Sequence, residues 1–264
     1  MSFASLLGFI VGILLFVGSI VISTDHYMSF FELHAALIVL GGTIATAYMS
    51  YQARYVNIAF AAILWMFKKP KSTREGLNTE IMRLIKWSYI VQQKGLPGLE
   101  NELKGAMAGD PLMDFCLTLV TTAHKPAELK DMMHTAIEAE FERRTVPVHV
   151  LKMMAGTGPA FGMIGTLIGM IIMLGNFSDD ISQIGVGMSL ALVATLYGIT
   201  SARLFFMPAA SMLQQKEEIE RFRNYMMAEG LIMLAEKKGP RYMQDRLNSY
   251  LDPEIHFNID KQIK

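Results

Sequence analysis

The chain has 264 residues, is 52% hydrophobic and carries a formal net charge of +0, with a mean hydropathy of +0.32. A balanced charge excludes the global basic field of a nucleic-acid binder, and this hydropathy points away from an ordinary soluble domain and towards a membrane protein. A lone cysteine, Cys116, excludes an internal disulfide and offers no metal spacing, so it reads as a buried core thiol.

The first apolar run covers residues 3–22. No Lys or Arg precedes it, Gly12 and Gly18 interrupt it, and no clear small-residue cleavage site follows. It is therefore expected to be retained as a membrane span, not removed as a signal peptide. Further runs cover 33–49, 153–177 and 181–202, each close to the roughly 20 helical residues that cross a hydrocarbon core of about 30 Å. No acidic or basic side chain sits deep in any of the four. The short loops after the first and third runs hold no Lys or Arg. Arg54, Lys68, Lys69, Lys71 and Arg74 follow the second run, and Arg203, Lys216, Arg221 and Arg223 follow the fourth. By the positive-inside rule both termini and the middle block are cytoplasmic.

The layout divides the chain into a first helix pair (1–50), a helical cytoplasmic block (51–150), a second helix pair (151–212) and a cytoplasmic tail (213–264). Within the block, Leu77, Ile81, Leu84, Ile85 and Ile90 recur near the helical period over 76–94. A break is expected at Gly95-Leu96-Pro97-Gly98, then a short helix over 99–107 and a stop at Gly109-Asp110-Pro111. Another helix fits 112–123. Pro126 suits the first turn of the next, whose apolar stripe is Leu129, Met132, Met133, Ala136, Ile137 and Phe141. Pro147 is expected to separate that helix from the third span. The tail begins as a charged helix, a second helix starts near Arg241 and ends by Asp252-Pro253, and roughly the last dozen residues are expected to be disordered.

No phosphate-binding glycine loop, HExxH or GxSxG pattern occurs, so the chain does not read as an enzyme. His26, His34, His124, His134, His149 and His256 show no ligand spacing. His34, near the outer end of the second span, is titratable, but a structural role fits it better. The third and fourth spans are more informative. Gly158, Gly162, Gly165 and Gly169 allow a neighbouring helix to approach closely. Pro159 removes one backbone hydrogen bond and can kink its helix, and it lies two turns from Thr166, on the same face. The fourth span carries Ala194, Thr195, Tyr197 and Gly198, with Pro208 at its inner end. Thr166 and Thr195 place hydroxyls at middle depth on two helices. They suit a polar-lined slot that needs a partner's charge, and they equally suit plain helix packing.

The sequences Pro-Ala-Phe-Gly-Met-Ile-Gly-Thr-Leu-Ile-Gly at Pro159–Gly169, Ala-Thr-Leu-Tyr-Gly at Ala194–Gly198 and Phe-Met-Pro at Phe206–Pro208 resemble the MotA/TolQ/ExbB family. The likeness is to its flagellar stator branch, MotA and PomA. The tail element at Gly239–Leu251 and the order of spans fit the same branch. The resemblance implies a homo-pentameric ring in the bacterial inner membrane around two MotB/PomB-like single-span subunits. Each partner would bring a membrane Asp and a peptidoglycan-binding domain, and the ring would push a rotor switch protein. By position, Thr166 and Thr195 would line the ion route, Pro159 and Pro208 would belong to the conformational step, and Glu100 would face the rotor. The usual basic companion of that acid is Gln92 here, with Lys94 nearby. Sodium-type relatives carry two adjacent threonines in the fourth span, whereas here Ala194 precedes Thr195, which favours protons as the transported ion over sodium. No cofactor is implied. The rival readings are an ExbB/TolQ-like energiser, which would have three spans, a stand-alone secondary transporter, which would carry buried ionisable groups, and a passive scaffold.

Overall fold

The computed structural model describes residues 3–65, 74–103, 110–122, 124–175 and 181–262, and among these every regular element is helical. Helix α1 is Phe3–Ser23. A 3₁₀ turn at Tyr27–Phe30 leads to α2, which runs from Leu33–Ala36 through a π-helical turn at Leu37–Gly41 into Gly42–Ser50. Then come α3 (Ala53–Trp65), α4 (Arg74–Leu103), α5 (Pro111–Thr121) and α6 (Pro126–Gly175). Helix α7 is Ile181–Thr200, followed by a second π-helical turn at Ser201–Phe206. Helices α8 (Met207–Ala235), α9 (Pro240–Asn248) and α10 (Ile259–Gln262) complete the chain.

Among the described residues, three helices are long and apolar enough to cross a membrane: Tyr27–Ser50, Pro126–Gly175 and Ile184–Ala235. The apolar stretch Leu7–Ser23 is a shorter one. The chain divides into two compact units, one of residues 1–69 and 145–215 and the other of 70–144 and 216–264. The first unit therefore includes residues 51–69 and 145–150 from the block read as 51–150 in the sequence.

The first unit holds two apolar clusters. One joins Ala47, Val56, Ala59, Val148, Leu151, Met154, Ala202 and Phe206, and the other joins Ala35, Val39, Leu190, Val193 and Ala194. Helix α3 is an element that the reading by sequence does not include. Its signal is present, because Val56, Ala59, Phe60 and Ile63 recur at the helical period and all join the first cluster. Many side chains elsewhere in this unit stay exposed although large and apolar, among them Leu14, Leu37, Met163 and Leu192. That is how helices facing lipid are built.

Pro147 does not separate two helices, as expected from sequence. It lies inside α6, which continues through both Pro147 and Pro159. A helical proline forfeits one hydrogen bond and crowds the carbonyl four residues back. Buried Val148, Val150, Leu151 and Met154 pack the helix on the far side of that defect and keep it continuous. The opposite outcome occurs at Gly95, whose backbone (φ 72°, ψ −177°) interrupts the helical path inside α4. Glycine alone adopts that conformation without strain, so the expected break is a kink, and the segment beyond it runs on to Leu103. Residues 104–109, including the rest of the short helix expected at 99–107 and the start of the stop, lie outside the described ones.

The second unit has one core, in which Ile81, Leu84, Ile85, Met113, Met133, Ile137, Met226, Met227 and Leu231 are almost wholly buried. Asp110 caps α5 by accepting from the Met113 amide at 3.2 Å, with Pro111 in the first turn. Cys116 is buried here, and burial with the nearby Asp110 charge pushes its thiol up to about 12, so it stays a protonated core group. Tyr225 donates to Glu138 at 2.6 Å and is pushed up to about 12 by burial and by that carboxylate. Burial raises the Glu217 carboxyl above its usual range against the pull of Arg144 and Lys216. Burial acts the same way on Glu140, but Arg143 and Arg144 outweigh it and hold that carboxyl low. Up to Gln262 the tail is structured where disorder was expected. Asn248 donates to the Phe257 carbonyl and accepts from the Phe257 amide, both at 2.8 Å, and Phe257 and Ile259 are buried. Two apolar anchors near the end of the chain are enough to fix it.

One ion cluster joins three elements of this unit. Arg223 of α8, its side chain 10% exposed, donates to Glu80 of α4 at 2.9 Å and to Asp110 before α5 at 2.8 Å. Arg223→Met leaves both carboxylates facing a buried gap and is expected to cost about 3 kcal/mol. Thermal melting of the detergent-purified chain should show a clear drop for Arg223→Met and a smaller one for Arg83→Met, since Arg83, at 33% exposure, pairs with the same Glu80 from solvent.

Candidate functional site

The site is the seam between α6 and α7 in the first unit. Bringing two helices into backbone contact requires residues with no side chain at the contact. The sequence supplies them in register. A Cβ at Gly198 would lie 2.7 Å from the Gly158 carbonyl oxygen, one at Gly162 would lie 3.1 Å from the Ala194 carbonyl oxygen, and one at Gly169 would lie 2.7 Å from the Ala191 nitrogen. At Gly165 a Cβ would overlap the Ala194 methyl. The glycine spacing expected to permit close approach therefore does so along the whole seam. Helix α2 closes on the same place: a Cβ at Gly42 would overlap the Phe161 ring, and Ile38 reaches to within 3.9 Å of the Cβ position at Gly165.

Thr195 lies at this seam, its Cα 3.2 Å from where a Gly162 Cβ would be. Thr166 lies one helical turn beyond Gly162 on α6. The two threonines are thus brought to neighbouring levels of facing helices. Each hydroxyl donates to its own helix, Thr166 to the Met163 carbonyl at 2.6 Å and Thr195 to the Ala191 carbonyl at 3.3 Å. With the proton committed to the backbone, each oxygen still has lone pairs to offer. Both threonines are half-buried, while Ala194 is fully buried. A threonine at 194 would have to fit two further heavy atoms beside Gly165.

Pro159 is half-buried on α6, beside the contact between Gly158 and Gly198. Pro208 is half-buried and follows the π-helical turn Ser201–Phe206. A proline at 208 has no amide to give the Leu204 carbonyl and would crowd it, and a widened turn relieves both conflicts. In the second unit Lys94 and Gln92 are exposed on α4, just before the Gly95 kink. A Cβ at Gly239 would lie 3.5 Å from the Gln92 side-chain nitrogen, which places the start of α9 against this part of α4. Glu100 belongs to α4, and its side chain lies outside the described ones.

Reading by sequence misses what Tyr197 does. Its hydroxyl donates to the Phe30 carbonyl at 2.6 Å and accepts from the Glu32 amide at 3.2 Å. The available signal is the phenol itself, a polar tip that needs a partner inside an apolar helix. No His, Cys, Asp or Glu group able to hold a metal exists among the described residues.

The described residues thus form a helical chain with helices able to cross a membrane and with threonine hydroxyls at a glycine-sealed seam. The profile of the MotA/TolQ/ExbB proton channel family matches residues 101–227. The chain is 27% identical over 263 residues to Motility protein A of Borreliella burgdorferi, covering 100% of this chain and 99% of that one. It is 27% identical over 256 residues to the chemotaxis protein PomA of Vibrio alginolyticus, covering 96% of each. The fold matches the C. jejuni MotAB structure with a TM-score of 0.85 at 20% identity, covering 98% of this chain and 100% of that one. Over residues 101–227 the chain is thus similar to the MotA/TolQ/ExbB family, and along nearly its whole length to motility proteins of that kind.

The seam makes a direct prediction. Gly169→Ala places a methyl against backbone atoms that cannot rotate away and is expected to cost about 1–3 kcal/mol by overpacking. Gly175→Ala, with nothing within 4 Å of its Cβ position, should be silent. The melting temperature and membrane level of the two variants check this.

Proposed function

We propose that the chain is the ion-conducting stator subunit of a bacterial flagellar motor, which turns ion flow across the inner membrane into torque on the rotor. The observation that carries this reading is the α6–α7 seam. It supplies hydroxyl oxygens and no acid, and the only carboxylates among the described residues of the first unit are Asp25 and Glu32. The acid that takes up and releases the ion therefore comes from a second polypeptide. A single-span MotB-like partner with a membrane Asp and a peptidoglycan-binding domain would supply it, as the family resemblance implies. The shared fold with a chain of the C. jejuni MotAB structure supports this pairing.

The chain spans the membrane four times, α1 included, with both termini in the cytoplasm, and assembles as a pentameric ring around two partner spans. A carboxylic acid desolvated in the seam has a raised pKa and cycles between neutral and charged. Each charge crossing about 100 mV releases about 2.3 kcal/mol, so a few ions drive a mechanical step. Thr166 and Thr195 form the route beside the acid. Pro159 and Pro208 sit where helix geometry is already disturbed, and they let the spans shift as the ring turns. Glu100 and Lys94 meet the rotor switch protein. Protons are the ion. Sodium needs several oxygens in its shell, and the buried Ala194 methyl against Gly165 leaves no place for a second hydroxyl beside Thr195.

Thr195→Val keeps the shape and removes the hydroxyl. With the partner co-expressed, the variant should reach the membrane at the normal level, yet bead-assay rotation should fall at least about tenfold, in line with losing one stabilising polar contact on the moving charge. Normal swimming by that variant would remove Thr195 from the route. Rotation speed measured against external sodium at fixed pH should stay flat, and a strict sodium requirement would reverse the choice of ion.

A further inference from the structure

Tyr197 is the only titratable residue between 181 and 200, and its hydroxyl makes two hydrogen bonds to a segment some 165 residues away in sequence. That segment, Phe30–Glu32, joins the 3₁₀ turn at Tyr27–Phe30 to α2. Its backbone is extended at Glu32 (φ −111°, ψ 110°), so it has no helical partner for the Glu32 amide or the Phe30 carbonyl. The phenol serves both groups at once. The Glu32 carboxylate makes no cap hydrogen bond at the start of α2. It faces His34 instead, with 2.9 Å between its oxygen and Nδ1, and stays one-third exposed. Among the described residues, the charged or titratable groups of this region are Asp25, His26, Tyr27, Glu32 and His34 on the connecting segment and α2, with Tyr197 facing them from α7.

We infer that Tyr197 is a positioning residue for the ion route: its hydroxyl straps the Phe30–Glu32 segment to α7 and so fixes the Glu32 carboxylate beside the helix that carries Thr195. This inference rests on the stator reading. A carboxylate on a segment that wanders spreads its potential over a wide volume. Held on the wall of the route, it concentrates cations at the entrance. The strap therefore acts on how readily the route fills, and less on what happens once it is full.

Tyr197→Phe keeps the ring and removes both hydrogen bonds, and two measurements test the strap. In the detergent-purified complex, hydrogen exchange of the peptide spanning residues 30–32 should speed up at least about tenfold, because the Glu32 amide loses its acceptor. In rotating motors, the driving cation needed for half-maximal speed should rise at least about threefold. For protons that is a shift to more acidic external pH by about half a unit, and speed should recover as the cation is raised. Glu32→Gln should shift the same parameter, and the double variant should shift it no further than Glu32→Gln alone. Unchanged exchange would remove the strap. A uniform loss of speed at every cation concentration, or a double variant whose shifts simply add, would reduce Tyr197 to a packing residue. Faster exchange in the variant, combined with a wild-type complex that rotates with no cation at all, would overturn the stator reading and the positioning role with it, while leaving the two hydrogen bonds in place.

Discussion

Backbone-to-backbone contact between α6 and α7 is the constraint on which the rest of the first unit depends. Lipid offers no hydrophobic drive for two apolar helices to associate, so they must gain from close packing and from the polar groups they can share. Gly158 meets Gly198, Gly162 and Gly165 both meet Ala194, and Gly169 meets Ala191 and Gly187. The contact is so tight that it fixes helix rotation as well as distance. The placement of Thr166 and Thr195 is a consequence of that register, because a larger side chain at any of these glycines would push the two helices apart.

The second unit solves a different problem. Its helices are amphipathic, with a methionine-rich core formed by Met113, Met133, Met226 and Met227. Unbranched side chains fill irregular gaps but specify geometry poorly. The Arg223 cluster with Glu80 and Asp110 supplies the missing specificity, since planar guanidinium geometry accepts few arrangements. Asp110 serves twice, as a cap for α5 and as a partner of Arg223, so helix start and tertiary contact are fixed by one residue.

Much of this is legible in the sequence. Long uncharged runs announce the spans, and the rhythm of glycines announces the seam, because both are local patterns with one physical cause. The Pro126 start and the Gly95 break are legible for the same reason. What escapes reading depends on partners remote in the chain. Pro147 looks like a helix end until the apolar residues after it are seen to be buried. The final segment looks loose until Asn248 is seen to clasp Phe257. Tyr197 reads as one more aromatic until the Glu32 amide is found beside it. The hydroxyls of Thr166 and Thr195 are placed at the seam by sequence, but the direction in which each one donates is not.

That direction has a consequence for the chemistry of any acid placed between them. An oxygen whose hydrogen already points to its own helix can only receive. It welcomes a neutral carboxylic acid, which brings a hydrogen, and it repels the bare anion unless a positive ion arrives with it. Such a wall would select the loaded form of a guest acid, and releasing the load would oblige either the hydroxyls to turn or the guest to leave.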